Sequence, residues 1–334
     1  MNLSIIIVNY RSSGLLLDCL RTIYAQTSGI SFEVIVVNND ENDKDREMIT
    51  LPFPEVRWIN MGYNAGFARA NNAGIRMANG EAVLLLNPDT LVLEEAVKKC
   101  YIDFSASNYA ACGVQLIFAN GQPQISGSYA MKGGLNLLLP LPYVGNLLKW
   151  IAGRIKVAKP HVPEATGVVE VDWINGAFLM VKKAAISKAG LLDEDFFLYA
   201  EETEWCSRLR KTGKLCLFGQ YRVMHLEGQS SGQAFGDTQK GYYHLSNRKG
   251  LQMMVSNMLR VRKEFGAGWF LFLLICYSGA ALLYWPLGFL HNLLRLRNPF
   301  LHFSDAAGFT GNMFRLWRLM PRIVSNKPFF YKVL

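Results

Sequence analysis

Residues 82–89 read AVLLLNPD, an apolar run of strand length that ends in two polar residues on either side of a proline. A strand buried within a parallel sheet has such a continuous apolar sequence. In open α/β sheets the ligand binds just beyond the carboxyl ends of the strands. The sequence therefore predicts that Asp89 lies at a ligand site, where its carboxylate suits a hard divalent cation that carries substrate phosphates. A simple Asn-Pro-Asp turn is the alternative.

Two further strands with polar ends precede this one. Residues 3–8 lead to Asn9 and Tyr10, and residues 32–37 lead to Asn38. Segments with apolar residues at helical spacing separate the three predicted strands. Strands that alternate with helices are typical of an α/β fold with a parallel sheet. The polar strand ends are then expected to meet at one edge of that sheet.

Six short motifs follow one another over residues 1–235. They are IVNY at 7–10, VVNN at 36–39, NAGFARANNAG at 64–74, LNPDT at 86–90, NGAF at 175–178 and AEETEWCSR at 200–208. As an ordered set they resemble the family 2 glycosyltransferases of the GT-A fold, and more narrowly the bacterial rhamnosyltransferase-like branch. The resemblance implies an α/β fold with a mostly parallel sheet flanked by helices. The composition of the chain beyond these motifs predicts a C-terminal helical region that associates with membranes.

Resemblance and composition together predict a division of the chain. A GT-A catalytic domain is expected over 1–240, and a basic, apolar helical region over 241–334. Within the catalytic domain we expect a nucleotide-sugar half at 1–110, an apolar insertion at 130–158 and an acceptor and base half at 170–235. The insertion is rich in leucine. An amphipathic membrane-facing segment, a lid over the acceptor and an ordinary packed loop are all open interpretations of it.

Two adjacent acids are the candidates for the catalytic base. Transfer of a sugar to a hydroxyl requires a group that takes the hydroxyl proton, ideally a positioned carboxylate. Resemblance places Glu202 at the family's catalytic aspartate and gives Glu201 the role of orienting the acceptor or the base. The longer side chain leaves open which of the two abstracts the proton. Acids that merely favour a helix N-terminus are the alternative, and this explains Glu204, which can pair with Arg208 one helical turn on.

The leaving diphosphate requires positive charge as its own charge develops. By resemblance, Asp89 is the last residue of the family's Asp-x-Asp motif, and Asn87 replaces the first carboxylate. His225 takes the place of a family histidine near the diphosphate and the metal, although a lone histidine can equally have a structural role. The resemblance thus implies Mg²⁺ or Mn²⁺ as the cofactor.

Resemblance places the donor nucleotide across the first strand ends. Asn9 and Tyr10 are expected to contact the base and the ribose. Asn38 replaces an aspartate that accepts a hydrogen bond from the pyrimidine N3–H, and its amide oxygen can still accept that bond.

A predicted helix from about Gly66 to Met77 begins beside these strand ends. Asn64, Gly66 and Arg69 lie at its start, where backbone N–H groups and a guanidinium favour phosphate. Trp173 is expected at the sugar and acceptor pocket, with a core tryptophan as the alternative.

The net charge of +9 is concentrated in the C-terminal part of the chain. From Ser256 onward there are ten Lys and Arg against two acids, a difference of +8. Nucleic acid is the usual partner of a basic segment, but residues 265–294 carry no charge and are long enough to span a bilayer. We therefore expect a membrane surface and no nucleic acid.

Basic residues flank this uncharged run on both sides, and Pro286 interrupts it. The positive-inside rule then places both ends in the cytoplasm, which favours a helical hairpin or an in-plane segment at 266–294. A single span and a buried helix pair are the alternatives. The six cysteines show no paired spacing and suit a reducing compartment. The expected location is the cytoplasmic face of the bacterial inner membrane.

The resulting prediction is an inverting glycosyltransferase of cell-envelope polysaccharide synthesis. Resemblance favours L-rhamnose from dTDP-rhamnose as the donor sugar and a lipid-linked saccharide as the acceptor. A UDP-hexose, UDP-N-acetylhexosamine or UDP-galactofuranose donor is the first alternative, and a non-catalytic, membrane-tethered nucleotide-sugar-binding protein is the second. NYRSSG follows the first strand where a dinucleotide-dependent oxidoreductase would have Gly-x-Gly-x-x-Gly, which argues strongly against that class of enzyme. The sequence leaves the linkage and the oligomeric state open.

Overall fold

The computed structural model describes residues 1–154, 160–226 and 244–334. The described residues form two compact units. Unit 1 holds 1–129, 160–194 and 201–226, and unit 2 holds 130–154, 195–200 and 244–334. The expected domain boundary at 240 lies outside the described residues. The described part of the apolar insertion groups with the C-terminal region, not with the N-terminal domain in which the sequence placed it.

Unit 1 is built from strands and helices that alternate along its first half. Its strands are β1 (Leu3–Asn9), β2 (Phe32–Asn38), β3 (Arg57–Asn60), β4 (Ala82–Leu86), β5 (Thr90–Val92), β6 (Ala111–Ile117), β7 (Gly127–Ser128), β8 (Val168–Val171), β9 (Trp173–Ile174), β10 (Phe178–Lys182) and β11 (Leu215–His225). Its helices are α1 (Ser13–Gln26), α2 (Arg46–Thr50), α3 (Gly66–Met77), α4 (Ala96–Ala106), α6 (Lys183–Ala189) and α7 (Glu201–Leu209), with α5 in unit 2. The helix expected from Gly66 to Met77 is confirmed.

The main sheet has the strand order β3-β2-β1-β4-β10-β6-β11-β5, and β8 pairs with β11. The first four strands are parallel, as the sequence predicts. β10 then enters antiparallel between β4 and β6, which makes the sheet mixed. The α/β sheet flanked by helices is confirmed, and its antiparallel insertion brings residues 175–178 next to the end of β4.

Each face of this sheet has its own apolar core. Alternate residues of β1 and β4 point to opposite faces, so Ile5 and Leu84 lie in one cluster while Ile6 and Leu85 lie in the other. Helix α3 approaches β1 closely at Gly74, where a Cβ atom would lie 2.5 Å from Ile6 Cγ2. The buried strands hold their carboxyl ends in fixed positions, and the candidate site lies at those ends.

Unit 2 is helical. It contains a 3₁₀ segment (Lys132–Leu138), α5 (Val144–Arg154), α8 (Arg248–Phe265), α9 (Ala267–Leu294) and α10 (Phe303–Ser325). Its core joins α8, α9 and α10 through buried residues such as Met258, Phe270, Leu274 and Phe309.

Helix α9 runs without a break over 28 residues, so a hairpin turn inside 266–294 is wrong. Pro286 removes one backbone hydrogen bond from the helix interior. The packing of α9 against α8 and α10 compensates for this missing hydrogen bond, and the proline ring lies on the exposed face of the helix. Within the described residues, α9 alone has the length and apolar composition needed to cross a membrane.

Candidate functional site

The ends of β1 and β2 lie side by side and carry two buried asparagines. Asn9 and Asn38 are register partners in the parallel pair. The Asn9 side chain is tied to the start of α1, because its Nδ2 donates to Ser13 Oγ at 3.0 Å and its Oδ1 accepts from Ser12 Oγ at 3.1 Å. Asn38 Nδ2 donates to the Asn42 carbonyl at 3.0 Å, so its amide nitrogen faces the protein. This orientation leaves the amide oxygen of Asn38 as the atom suited to accept a hydrogen bond from a base.

Asn39, which sequence reasoning did not single out, fixes the loop in front of α3. Its Oδ1 accepts from the backbone N–H of Ala65 at 2.8 Å, and its Nδ2 lies 3.2 Å from the carbonyl of Gly66. Asn64 Oδ1 accepts from Gly66 N–H at 3.1 Å, and Gly66 has a φ of +76° that favours glycine. The doubled asparagine of the VVNN motif was the available signal for Asn39.

Two predicted donor-binding residues make contacts of their own in unit 1. Arg69 Nε donates to the backbone carbonyl of Glu194 at 3.1 Å, which ties this guanidinium to the loop after α6. Tyr10 is partly exposed, and the Arg11 guanidinium lies 5.1 Å from the centroid of its ring.

Strand pairing brings Asp89 and His225 together. β11 ends at His225, which is the register partner of Thr90, the residue after Asp89. His225 Nε2 lies 3.4 Å from Asp89 Oδ1 and 3.4 Å from Asn87 Nδ2. Asp89 and His225 are both buried, at 2% and 6% exposure. All three residues expected at the metal and diphosphate therefore meet at the end of β4.

Gln124 orients the histidine and was not predicted. Its Nε2 donates to the His225 carbonyl at 2.7 Å, which assigns the amide and turns Oε1 toward His225 Nδ1 at 3.0 Å. An amide oxygen only accepts, so the neutral imidazole carries its proton on Nδ1. The Nε2 lone pair is thereby directed at Asp89 and Asn87. Gln124 lies in a loop 101 residues from His225, and no local sequence signal connects the two.

A buried carboxylate fits Mg²⁺ or Mn²⁺ as a ligand, and an imidazole nitrogen with a directed lone pair suits a transition metal such as Mn²⁺ better than Mg²⁺. Among the residues the structure describes, no third His, Cys, Asp or Glu joins them. A cation at this place would take its remaining ligands from diphosphate oxygens and water.

Replacing Gln124 with Leu is expected to weaken the affinity for Mn²⁺ about 10- to 100-fold, measured by titration in the presence of a nucleoside diphosphate. The substitution removes the group that fixes the imidazole tautomer, and loss of such an outer partner typically has this effect. The exposed Gln122→Leu is the matched control and should bind Mn²⁺ like the wild type. Unchanged affinity in Gln124→Leu would contradict the orienting role.

Glu202 lies at the start of α7, beside the loop that connects β9 and β10. Trp173 Nε1 donates to Glu202 Oε1 at 3.3 Å. A Cβ atom at Gly176 would lie 3.4 Å from Glu202 Cγ and 3.8 Å from Phe67 Cζ. The absence of a side chain at Gly176 therefore leaves space beside the Glu202 side chain. Trp173 thus has a role that neither interpretation included, because its indole N–H contacts the predicted base.

Glu201 has a different environment from its neighbour. Its side chain is buried, at 3% exposure, and Oε2 accepts no hydrogen bond within the described part of the chain. Burial, and then the charge of Glu202, raise the pKa of Glu201 well above its ordinary value of 4.5. A carboxyl that stays protonated is a poor proton acceptor. Glu204 forms a bidentate pair with Arg208 at 2.8 and 2.7 Å, as its helical spacing predicted.

The raised pKa of Glu201 has a consequence for stability. Above pH 4.5 the carboxyl ionises in the unfolded chain but stays protonated in the folded one, so the unfolded state binds fewer protons. The contribution of Glu201 to the free energy of unfolding therefore falls as pH rises above 4.5, until the pKa of the folded state is reached. We expect Glu201→Gln to match the wild type near pH 4 and to become increasingly more stable than it as pH rises above 4.5.

Urea denaturation across this pH range measures that difference. Glu170→Gln replaces an acid whose side chain is 51% exposed, and its difference from the wild type should not grow in this way. A gap between Glu201→Gln and the wild type that stays constant with pH would contradict a protonated Glu201.

A two-residue segment connects the predicted base with the predicted metal ligands. Asn87 N–H donates to the Ala177 carbonyl at 3.1 Å, and the adjacent Gly176 faces Glu202. A carboxylate suited to accept a proton thus lies near a carboxylate–imidazole pair suited to hold a cation and phosphates. The arrangement can support displacement of a phosphate leaving group by a hydroxyl.

Comparison with known protein families gives a match in the N-terminal part of the chain. Residues 4–150 match the model of the family described as "Glycosyl transferase family 2". This segment contains β1 to β6 and the site residues up to Gln124.

Three similar proteins are glycosyltransferases by name. "Low-salt glycan biosynthesis hexosyltransferase Agl10" of Haloferax volcanii is 30% identical over 63% of this chain and 62% of its own length. "dTDP-rhamnosyl transferase RfbF" of Shigella flexneri is 24% identical over 69% and 71%. "N-acetylglucosaminyl-diphospho-decaprenol L-rhamnosyltransferase" of Mycobacterium tuberculosis is 23% identical over 60% and 68%. The chain thus spans just under two thirds of the first of these relatives. The matches confirm the resemblance found in the sequence.

A solved structure supports the fold. "Mannosyltransferase PcManGT from Pyrobaculum calidifontis in complex with GDP-Man and Mn2+" aligns with 96% of this chain and 87% of its own, at 13% identity and a TM-score of 0.53. At this identity the likeness confirms the GT-A fold alone.

Proposed function

Because residues 4–150 match the family 2 glycosyltransferase model, we propose that this chain is a member of that family and that it transfers a sugar from a nucleotide diphosphate to an acceptor hydroxyl with inversion at the anomeric carbon. The observation that carries the proposal is the position of Glu202, held by Trp173 and connected through residues 176–177 to the Asp89–His225 pair. Glu202 is placed to take a proton, and the Asp89–His225 pair faces the leaving group.

Glu202 acts as the general base. Its carboxylate removes the acceptor proton while the hydroxyl oxygen attacks the anomeric carbon and the bond to the diphosphate breaks. Trp173 orients the carboxylate, and the absence of a side chain at Gly176 leaves room for the sugar or the acceptor. Glu201 stays protonated and supports its neighbour from the buried side of α7. One displacement with one base predicts inversion.

Asp89 and His225 would hold Mg²⁺ or Mn²⁺ beside the donor diphosphate. A cation bound there would supply positive charge to balance the charge that develops on the leaving group. Gln124 keeps the imidazole in the required tautomer. Asn87 donates hydrogen bonds at the same place without adding charge.

The remaining predicted residues surround the nucleotide. Asn38 accepts a hydrogen bond from the pyrimidine, and Tyr10 packs against the base or the ribose. Asn9 and Asn64 order the loops that form this edge, and Gly66 gives the second loop its turn. Arg69 contributes positive charge from α3.

The donor we favour is dTDP-rhamnose. Two of the relatives are named as rhamnosyltransferases, and one of those names specifies dTDP. A UDP-hexose, UDP-N-acetylhexosamine or UDP-galactofuranose donor would use the same residues and is the alternative.

The acceptor we favour is a lipid-linked saccharide at the cytoplasmic face of the bacterial inner membrane. The name of the mycobacterial relative specifies a diphospho-decaprenol-linked sugar. The basic, apolar unit 2 of this chain suits a membrane surface.

A donor panel tests this proposal. The full chain is incubated with dTDP-rhamnose and with the UDP-sugars, with Mn²⁺ or with EDTA, and release of nucleoside diphosphate is measured with and without a lipid-linked saccharide. Release from dTDP-rhamnose that requires Mn²⁺ and the acceptor supports donor, metal and acceptor class together. Release only from a UDP-sugar would mean that this sugar nucleotide, and not dTDP-rhamnose, is the donor. Tight donor binding without release under any condition would favour the non-catalytic binding protein.

A further inference from the structure

One face of α9 is apolar and exposed along the whole helix. The residues of this stripe recur at helical spacing and point to one side: Leu271, Phe272, Ile275, Leu282, Leu283, Phe289, Leu290, Leu293 and Leu294. Ile275 and Leu282 are 64% and 69% exposed. The opposite face, which includes Phe270, Leu274 and Tyr277, is buried against α8 and α10. Water covers such a stripe only at a considerable free-energy cost.

Aromatic and basic residues border the stripe on α10. Trp317 Nε1 donates to Ser278 Oγ of α9 at 2.9 Å, which places this indole at the margin of the stripe. Phe314, one turn earlier on the same side, is 67% exposed. Arg315 and Arg318 are exposed on the outward face of α10. From α9 outward across α10, the surface is therefore first apolar, then aromatic and then basic.

We propose that this stripe, with Phe314 and Trp317, lies flat in the interface of an anionic lipid bilayer, so that unit 2 binds one leaflet and α9 does not cross the membrane. Apolar side chains enter the acyl boundary, aromatic rings occupy the headgroup level and arginines pair with lipid phosphates. The charge pattern identifies the partner as anionic lipid, because the stripe itself carries no charge and its border on α10 is basic.

The packing of α9 argues against a span. A spanning helix would be in lipid on all sides or packed against other apolar helices. Here α10 packs antiparallel to α9, and its exposed Arg315 and Arg318 lie level with the middle of α9. Crossing the bilayer would carry these two arginines into the hydrocarbon, which is costly. An in-plane orientation leaves them at the headgroups.

Vesicle flotation of the full chain tests this inference, which rests on the proposed membrane location. We expect binding to vesicles of phosphatidylcholine with phosphatidylglycerol and weaker binding to phosphatidylcholine alone. Ile275→Asp with Leu282→Asp should lower the bound fraction at least about tenfold. Arg315→Glu with Arg318→Glu should remove most of the preference for the anionic vesicles. The control Leu51→Asp, at a 77% exposed leucine of unit 1, should bind like the wild type.

Cysteine labelling separates the in-plane from the spanning orientation. The five other cysteines are buried. With Cys276 replaced by Ala, one exposed cysteine at a time is therefore introduced, at Asn298 in the turn between α9 and α10 or at Lys327 beyond the other end of α10. A membrane-impermeant maleimide added outside the vesicles should modify both. Protection of Asn298→Cys until detergent is added would overturn the in-plane orientation.

Two other results would overturn the lipid partner. A concentration-dependent dimer that Ile275→Asp with Leu282→Asp abolishes, without vesicle binding by the wild type, would assign the stripe to a second copy of the chain. A monomer that binds no vesicles would indicate that another protein, and not lipid, covers the stripe. Release of nucleoside diphosphate from a donor in solution is measured on the same samples, so a failure of membrane binding is distinguishable from a failure of the proposed activity.

Discussion

Glu202→Gln is expected to lower the rate constant of sugar transfer about 10²- to 10⁴-fold, the usual contribution of a positioned general base. The amide has nearly the shape of the carboxylate but accepts no proton at neutral pH. Since the space beside Gly176 is unchanged, the KM for the donor should change little. Steady-state kinetics with saturating acceptor measure both quantities.

Glu201→Gln serves as the neighbouring comparison. Because Glu201 is buried and its pKa is raised, its amide analogue resembles the protonated form already present. We expect a loss of less than about tenfold, well below the typical contribution of a general base. Glu170→Gln, at an exposed acid paired with Lys214, controls for the removal of a carboxylate as such. A large loss in Glu201→Gln with little loss in Glu202→Gln would reverse the two roles.

Asp89→Asn is expected to lower kcat/KM about 10²- to 10³-fold, the size of effect seen when one group that stabilises the developing charge is removed. It should also abolish the effect of Mn²⁺ on donor binding. The substitution leaves a neutral amide at the end of β4, opposite His225 Nε2. Isothermal titration of the nucleoside diphosphate, with and without Mn²⁺, separates lost metal binding from lost folding.

The control for this substitution is Asp18→Asn, at an acid on the exposed face of α1 that pairs with Arg21. It should keep the Mn²⁺ dependence of the wild type. If Asp89→Asn bound the diphosphate with the same response to Mn²⁺ as the wild type, the cation would be held elsewhere.

The strand ends could be predicted from the sequence because burial of parallel strands leaves a plain signal. Continuous apolar runs mark β1, β2 and β4, and the polar residues that follow them meet at one edge. The antiparallel entry of β10 was not predictable in this way, since an apolar run of five residues does not reveal its direction. That entry is nevertheless what brings Gly176 and Ala177 between Asn87 and Glu202.

Roles that depend on contacts between segments far apart in the chain could not be predicted from the sequence either. Nothing near Gln124 indicates that it holds His225, and nothing near Trp173 indicates that its indole N–H contacts Glu202. Pro286 does not break α9, because α8 and α10 pack against the helix, and the sequence near Pro286 does not reveal that packing.

The stereochemistry of the product bond tests the central claim most directly. Wild-type protein, the preferred donor of the panel and a lipid-linked acceptor are allowed to react, and the anomeric configuration of the new glycoside is determined by NMR. A single displacement with Glu202 as base predicts a configuration opposite to that of the donor, and no product from Glu202→Gln on the same timescale. A product that retains the donor configuration, or one formed equally fast by Glu202→Gln, would contradict the account.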